Sequence, residues 1–233
     1  MDIQLKRVFP AGTPVVVFMP YRVCVCSLST ARPTDSVKAE YSSLVIKEDT
    51  GDIEIAKDFE FESIDVSLDT GNVKCYASAT ETIKIAASTG DVYAEGISAG
   101  SIDLKTSTGD ITASGITCDG NVTIGVSTGK SCLSNIACKN LTSTGSTGDI
   151  SLTNVVAAEK ISVKRSTGDV TLESSDAAEL FITTDTGNVT GSLLTDKIFI
   201  TKTDTGRVNV PNSITGGRCE ITTSTGDIKI SIS

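Results

Sequence analysis

The sequence predicts an all-β protein folded as a single-domain parallel β-solenoid of about ten coils, and three observations carry that reading. A Thr-Gly pair recurs every 19 or 20 residues, with its glycine at Gly51, Gly71, Gly90, Gly109, Gly129, Gly148, Gly168, Gly187, Gly206 and Gly226. Apolar residues alternate by two on both sides of each pair, the period of a strand with one buried face. No segment sustains a 3.6-residue helical period, and hairpins would reverse every second repeat and scramble identical turns. Stacking ten coils at about 4.8 Å gives a rod roughly 50 Å long. The alternation between 19 and 20 residues favours a right-handed β-helix over a left-handed one built on strict hexapeptides.

In chain order, residues 1–40 come first as an atypical N-terminal segment or cap. They hold four of the five prolines, no Thr-Gly pair and the alternating run Val23-Cys24-Val25-Cys26. Ser29-Thr30-Ala31, 20 residues before Asp49-Thr50-Gly51, reads as a decayed coil. The repeat domain spans residues 41–233. At each corner Ser or Asp precedes the Thr-Gly pair and Asp or Asn usually follows it, the pattern of a type II turn whose third residue must be glycine for its positive φ. Two residues after the glycine stand inward Ile53, Val73, Ile111, Ile150, Val208 and Ile228, with Ser131 the exception; four after it stand Ile55, Cys75, Leu133, Val210 and Ile230. Pairs such as Ile64 and Val66, or Leu180 and Ile182, face inward before the next glycine. A third inward patch, such as Ile97 and Ala99 or Ile136 and Cys138, follows Gly96, Gly115, Asn135 or Asn154, which mark a further corner. The longer coils absorb their extra residue just after this patch, at Cys118-Asp119-Gly120-Asn121. The last strand, Ile228 to Ser233, is expected to end the stack bare, with an unpaired edge that invites self-association.

The chemistry available is narrow. There is no histidine, which removes Ser-His and Cys-His nucleophiles and imidazole metal sites. No phosphate-binding loop or dinucleotide fingerprint appears, so neither enzymatic activity nor a cofactor is expected. A net charge of −9 and a pI near 4.6 argue against nucleic acid or an anionic membrane as partner. No run reaches the roughly 18 apolar residues of a bilayer span, and Val15 to Met19 is short even for a secretory core. Seven cysteines without framework spacing read as reduced thiols, with Cys118 and Cys138 filling a ladder of small residues and Cys132 exposed.

Four readings of the surface follow. The aspartates after the glycines would stack one coil apart, repelling by ~0.9 kcal/mol in water, which needs no metal; a calcium-stabilised β-roll remains the alternative, although Lys130 and Arg207 interrupt the ladder. Thr-x-Thr recurs in four coils with its first threonine inward, which does not make the outward ranks of an ice-binding solenoid. A carbohydrate-active β-helix would need a groove lined by carboxylates and aromatics. Against a polar exterior, Phe181 and Ile200 take outward positions on neighbouring coils with Ile198 beside them, a candidate contact surface; the competing reading is a local register slip that turns Ile198 and Ile200 inward.

The Ser/Asp-Thr-Gly-Asp/Asn-Ile/Val corner at this spacing resembles the bacterial adhesin-type β-strand repeat family, also called toastrack domains, from about Tyr41 to Ser233. That resemblance implies a non-enzymatic, extracytoplasmic, cell-envelope scaffold that presents a ladder-like face to a protein or glycan. Family members commonly carry an N-terminal membrane helix, which this chain lacks, and the family brings no catalytic residues to carry over.

Overall fold

A computed structural model describes strands at residues 2–6, 15–19 and 22–26 and the chain over 39–57 and 59–233, with side chains from residue 43 onward. The decayed coil expected at Ser29-Thr30-Ala31 lies outside the described residues. The strands are β1 (Asp2–Lys6), β2 (Val15–Met19), β3 (Arg22–Cys26), β4 (Ala39–Thr50), β5 (Asp52–Ile55), β6 (Phe59–Thr70) and β7 (Val73–Cys75). There follow β8 (Ser78–Thr89), β9 (Val92–Glu95), β10 (Ser98–Ala99), β11 (Ser101–Thr108), β12 (Ile111–Cys118), β13 (Asn121–Thr128) and β14 (Ser131–Thr147). The last are β15 (Ile150–Thr167), β16 (Val170–Thr186), β17 (Val189–Leu193), β18 (Lys197–Thr205), β19 (Val208–Asn209), β20 (Gly217–Thr225) and β21 (Ile228–Ile232). β1 lies antiparallel on β4, and the antiparallel pair β2–β3 joins the stack through β3 parallel to β5. From there onward the pairing is parallel, each coil on the next, making a solenoid of about 9 turns between its ten Thr-Gly corners.

The alternation in the sequence sets the register. Ile85, Leu104 and Ile124 stack in one column and are fully buried; Ile83, Ile102 and Val122 stack in another. The third patch is inward as its spacing demands, and the corner before it is left-handed at Gly96 (φ 64°), Gly115 (φ 62°), Asn135 (φ 52°) and Asn154 (φ 54°). Ser174 (φ 48°) continues that series without the usual turn residue. Asn tolerates this region because its short polar side chain can bond locally, and Asn154 Nδ2 donates to Asn135 Oδ1 of the coil below at 2.8 Å.

The Thr-Gly corner differs from the type II turn expected. Its glycines have φ from 123° at Gly148 to 155° at Gly206, well beyond the roughly +80° of that turn. The corner is closed between coils: Gly109 N–H donates to the Thr128 carbonyl at 3.0 Å, and Gly129 N–H to Thr147 at 3.0 Å. Backbone passes so close to backbone that a Cβ on Gly109 would stand 2.1 Å from the Gly90 carbonyl oxygen. The following acid has a matching task. Asp91 Oδ1 accepts the Asp110 N–H at 2.8 Å, Asp110 Oδ1 accepts Lys130 N–H at 2.7 Å, and Asp169 Oδ1 accepts Asn188 N–H at 2.7 Å. Asp or Asn there satisfies the next coil's amide, which Lys130, standing at the same position of a middle coil, cannot do.

The C-terminal end departs furthest from expectation. The second half of β16 pairs with β20, not β18; β17 pairs with β21; and β18–β19 pair on the far side of β20–β21. The final strands therefore insert between the coil of Gly187 and the coil of Gly206, and the outermost coil is Lys197 to Asn209. Hydrophobicity decides the order. At matching inward positions the inserted coil sets Ile221, Ile228 and Ile230 where the outer coil has Thr201, Val208 and Val210, while Thr223 and Thr203 are alike. Val208, expected inward, is 45% exposed, because among the described residues β19 pairs with β21 on one side only. Arg207 fits the same order: its N–H is accepted by Asp227 Oδ1 at 2.8 Å, and no further coil needs an acceptor from it.

Two corner substitutions separate conformational strain from close approach. Gly96→Ala, at positive φ with nothing within 4 Å, is expected to cost about 1 kcal/mol, whereas Gly109→Ala should cost several and lower the melting midpoint far more. Equal midpoints in thermal denaturation would show that close coil-to-coil approach is not what the corner requires.

Candidate functional site

The alignment that builds the core also builds a track on the surface. Two residues before the glycine, five consecutive coils carry Ser88, Ser107, Ser127, Ser146 and Ser166, all exposed, each followed by an exposed threonine. Asp49 and Asp69 precede this run at the same position, and Asp185 follows it, so the continuous stretch of five lies in the middle of the rod, with a lone Ser224 in the inserted coil beyond. Alongside it, four residues before the glycine, stand Ala86, Lys105, Gly125, Thr144 and Lys164. Small residues in that rank leave a groove of about 640 Å³, lined by the serines, Lys105, Lys164, Gly125 and Gly145 and by no carboxylate or aromatic ring. Coil stacking sets its hydroxyls about 4.8 Å apart along the axis.

Arg165 lies beneath the groove, 1% exposed. Gly145 gives it room, since a Cβ there would fall on its guanidinium. One terminal nitrogen of Arg165 donates to Ser131 Oγ at 2.7 Å and to Ser143 Oγ at 3.4 Å, the other reaches the Val126 carbonyl at 3.4 Å, and Nε has no partner. Ser131, the exception in an aliphatic ladder, is thus explained together with Ser143 and Gly145: all three accommodate one buried cation. Burial lowers the pKa of Arg165, opposed by Asp149. With Lys105 and Lys164 at its walls, the groove is a positive locus on a chain of net charge −9, although Lys105 is also held to Asp103 at 2.7 Å.

The predicted contact surface is only partly assembled. Phe181, Ile198 and Ile200 do face outward, and no register slip occurs, because Phe199 aligns with inward Cys219. They are not contiguous: the inserted coil sets Glu220 between Phe181 and Ile200, and Lys160 and Arg218 stand over the Phe181 ring at 5.7 and 5.5 Å. The four Thr-x-Thr pairs also find their reason. The inward hydroxyls of Thr106, Thr184, Thr203 and Thr223 donate to the carbonyls of Gly90, Gly168, Gly226 and Gly187 at 2.9 to 3.2 Å, tying each strand to a glycine corner. A buried pair missed in the sequence, Lys197 and Asp176 at 2.6 Å, is bridged by Thr195 and pins the chain where it climbs to the outermost coil.

A smaller pocket combines Tyr76, Tyr93, Asp91 and Glu95. Asp91 is already committed there, one oxygen to Asp110 N–H and the other to the Tyr93 hydroxyl at 3.3 Å. Among the described residues no group of three or more His, Cys, Asp or Glu could hold a metal ion, and no helix is long and apolar enough to cross a membrane. The profile of the Toastrack DUF4097 family matches residues 33–126 and again 117–233. The chain belongs to that family. Comparison with curated proteins and with solved structures gives no significant match.

Cys75, Cys138 and Cys219 are free and buried, and burial pushes each thiol up to about 12, while Cys132 is exposed. In native protein a thiol reagent should label Cys132 and spare these three until unfolding. Because their folded values lie above the unfolded value of 9.0, the stability they contribute is whole below pH 9 and is lost as pH rises toward 12. A variant with all three changed to Ala should therefore lose less stability than the parent between pH 8 and 10.5, as measured by urea unfolding; equal losses would contradict the assigned thiol ionisation.

Proposed function

We propose that this toastrack chain is a non-enzymatic, extracytoplasmic scaffold of the cell envelope whose central groove holds an extended acidic glycan. The observation that carries this reading is the serine track of Ser88 to Ser166 above a buried arginine and between Lys105 and Lys164. Hydroxyls repeated at the coil spacing suit a polymer that offers a hydrogen-bonding group at each similar step, as an extended sugar chain does. The cations favour carboxylate or phosphate on that polymer. Each hydroxyl contact is worth only about 1 kcal/mol net, so recognition accumulates over several coils and a single sugar should bind negligibly. Location and absence of catalysis rest on the family resemblance and on the missing histidine.

The two alternatives are weaker. A calcium β-roll would need ladder carboxylates free for the ion, yet Asp52, Asp91, Asp110, Asp149, Asp169 and Asp227 each accept a backbone N–H with Oδ1. Excess chelator should accordingly leave the melting midpoint unchanged. A carbohydrate-active site would need a pair of carboxylates free to face substrate beside the tyrosines, and of the two in that pocket Asp91 has both oxygens engaged, leaving Glu95 alone.

Uronic-acid oligosaccharides of increasing length, with neutral counterparts as controls, test the reading by calorimetry. Affinity should rise with length, fall with added salt, and drop about tenfold or more in Ser107→Ala/Ser127→Ala/Ser146→Ala with the melting midpoint unchanged. Equal binding of acidic and neutral chains, or none by any length, would overturn it.

A further inference from the structure

The inserted C-terminal coil leaves β18 as an edge strand, and we infer that this edge is the contact through which two copies of the chain join tail to tail. Within the described residues β18 pairs on one side only, with β20. The apolar surface gathers at the same end: Leu194, Ile198, Ile200, Val208 and Ile214 make up five of the six large hydrophobic side chains that are exposed among the described residues. Unpaired N–H and C=O groups beside exposed isoleucines form a template for another strand.

The sequence of the edge selects a second copy of itself. Around a two-fold axis two β18 strands meet antiparallel, and facing residues must lie on the same side of the sheet. Centred on Phe199, the pairing sets Phe199 against Phe199, Ile198 against Ile200 and Asp196 against Lys202, so the apolar residues meet apolar ones and opposite charges meet at both ends. Neighbouring registers lose this. Centring on Ile200 opposes Asp196 to Asp204, centring on Thr201 opposes Ile198 to Asp204, and centring on Lys202 brings the two lysines together. Ile198, Ile200 and Lys202 of β18, and Asp196 just before it, are all exposed; Lys202 lies 3.5 Å from Asp204 of its own strand, an exposed ion pair that the pairing would exchange for Asp196 of the second copy. The edge is separate from the serine groove, so its behaviour does not depend on the glycan reading.

Light scattering and sedimentation of the full chain should give twice the monomer mass, and Ile198→Lys/Ile200→Lys should give the monomer with an unchanged circular dichroism spectrum. Charge reversal tests the register itself. Asp196→Lys or Lys202→Asp alone places like charges opposite one another and should weaken the dimer about tenfold, while the double reversal should restore it. A parent chain that stays monomeric at every concentration, or a dimer that survives the two lysines, places any partner elsewhere and overturns the inference. Single reversals without effect, or a double reversal that fails to rescue, would overturn the Phe199-centred pairing.

Discussion

Everything in this rod depends on backbone passing against backbone at the Thr-Gly corner. Parallel strands can stack in register over many coils only if each coil turns at the same place, and here the corner amide of one coil bonds the corner carbonyl of the next. A side chain at that glycine would have to occupy the space of the neighbouring carbonyl oxygen. The corner consequently fixes the rotational phase of every coil. Once the phase is fixed, aliphatic columns fill the interior and identical surface positions align into ranks without further instruction. The groove is a by-product of that alignment, given character by the choice of serine and glycine in a few adjacent ranks.

Much of this was legible in the residues. The inward columns, the further corner at Gly96 and Asn135, the buried Cys118 and Cys138 and the exposed Cys132 follow from spacing and residue type alone. The type II turn did not survive, because a local four-residue rule cannot register a hydrogen bond that reaches the next coil. The aspartate after each glycine looked like turn chemistry for the same reason; its partner lies about one coil away in sequence. The order of the last coils was hidden because every Thr-Gly corner can stack on every other, so spacing alone leaves the sequence of layers open. Composition held part of the clue: Thr201 stands in the coil of Gly206 where Ile182 and Ile221 stand in its neighbours, and Arg207, like Lys130, replaces an acceptor. The serine run was likewise present but needed a surface on which to become a groove.

Two buried charges show how such a thin core tolerates polarity. Arg165 has hydroxyls and a carbonyl around it rather than a paired carboxylate, and those neighbours are departures from the aliphatic pattern. Lys197 instead keeps its counter-ion, Asp176, at contact distance. Removing one member of such a pair typically costs about 3–5 kcal/mol because the other charge is left stranded, so each buried cation also constrains the identity of residues on neighbouring coils.

The interleaved tail has a consequence for how the rod is made and how it yields. During synthesis the coil of Gly206 leaves the ribosome before the strands that will lie beneath it, so it cannot reach its final seat until β20 and β21 are free. Closure of that end must be among the latest events in folding, and it rests on contacts far apart in sequence. The same threading changes the response to force. A pull on Ser233 does not peel an outer layer; it must shear β21 from β17 on one side and from β19 on the other, so β21 is gripped between layers like a wedge.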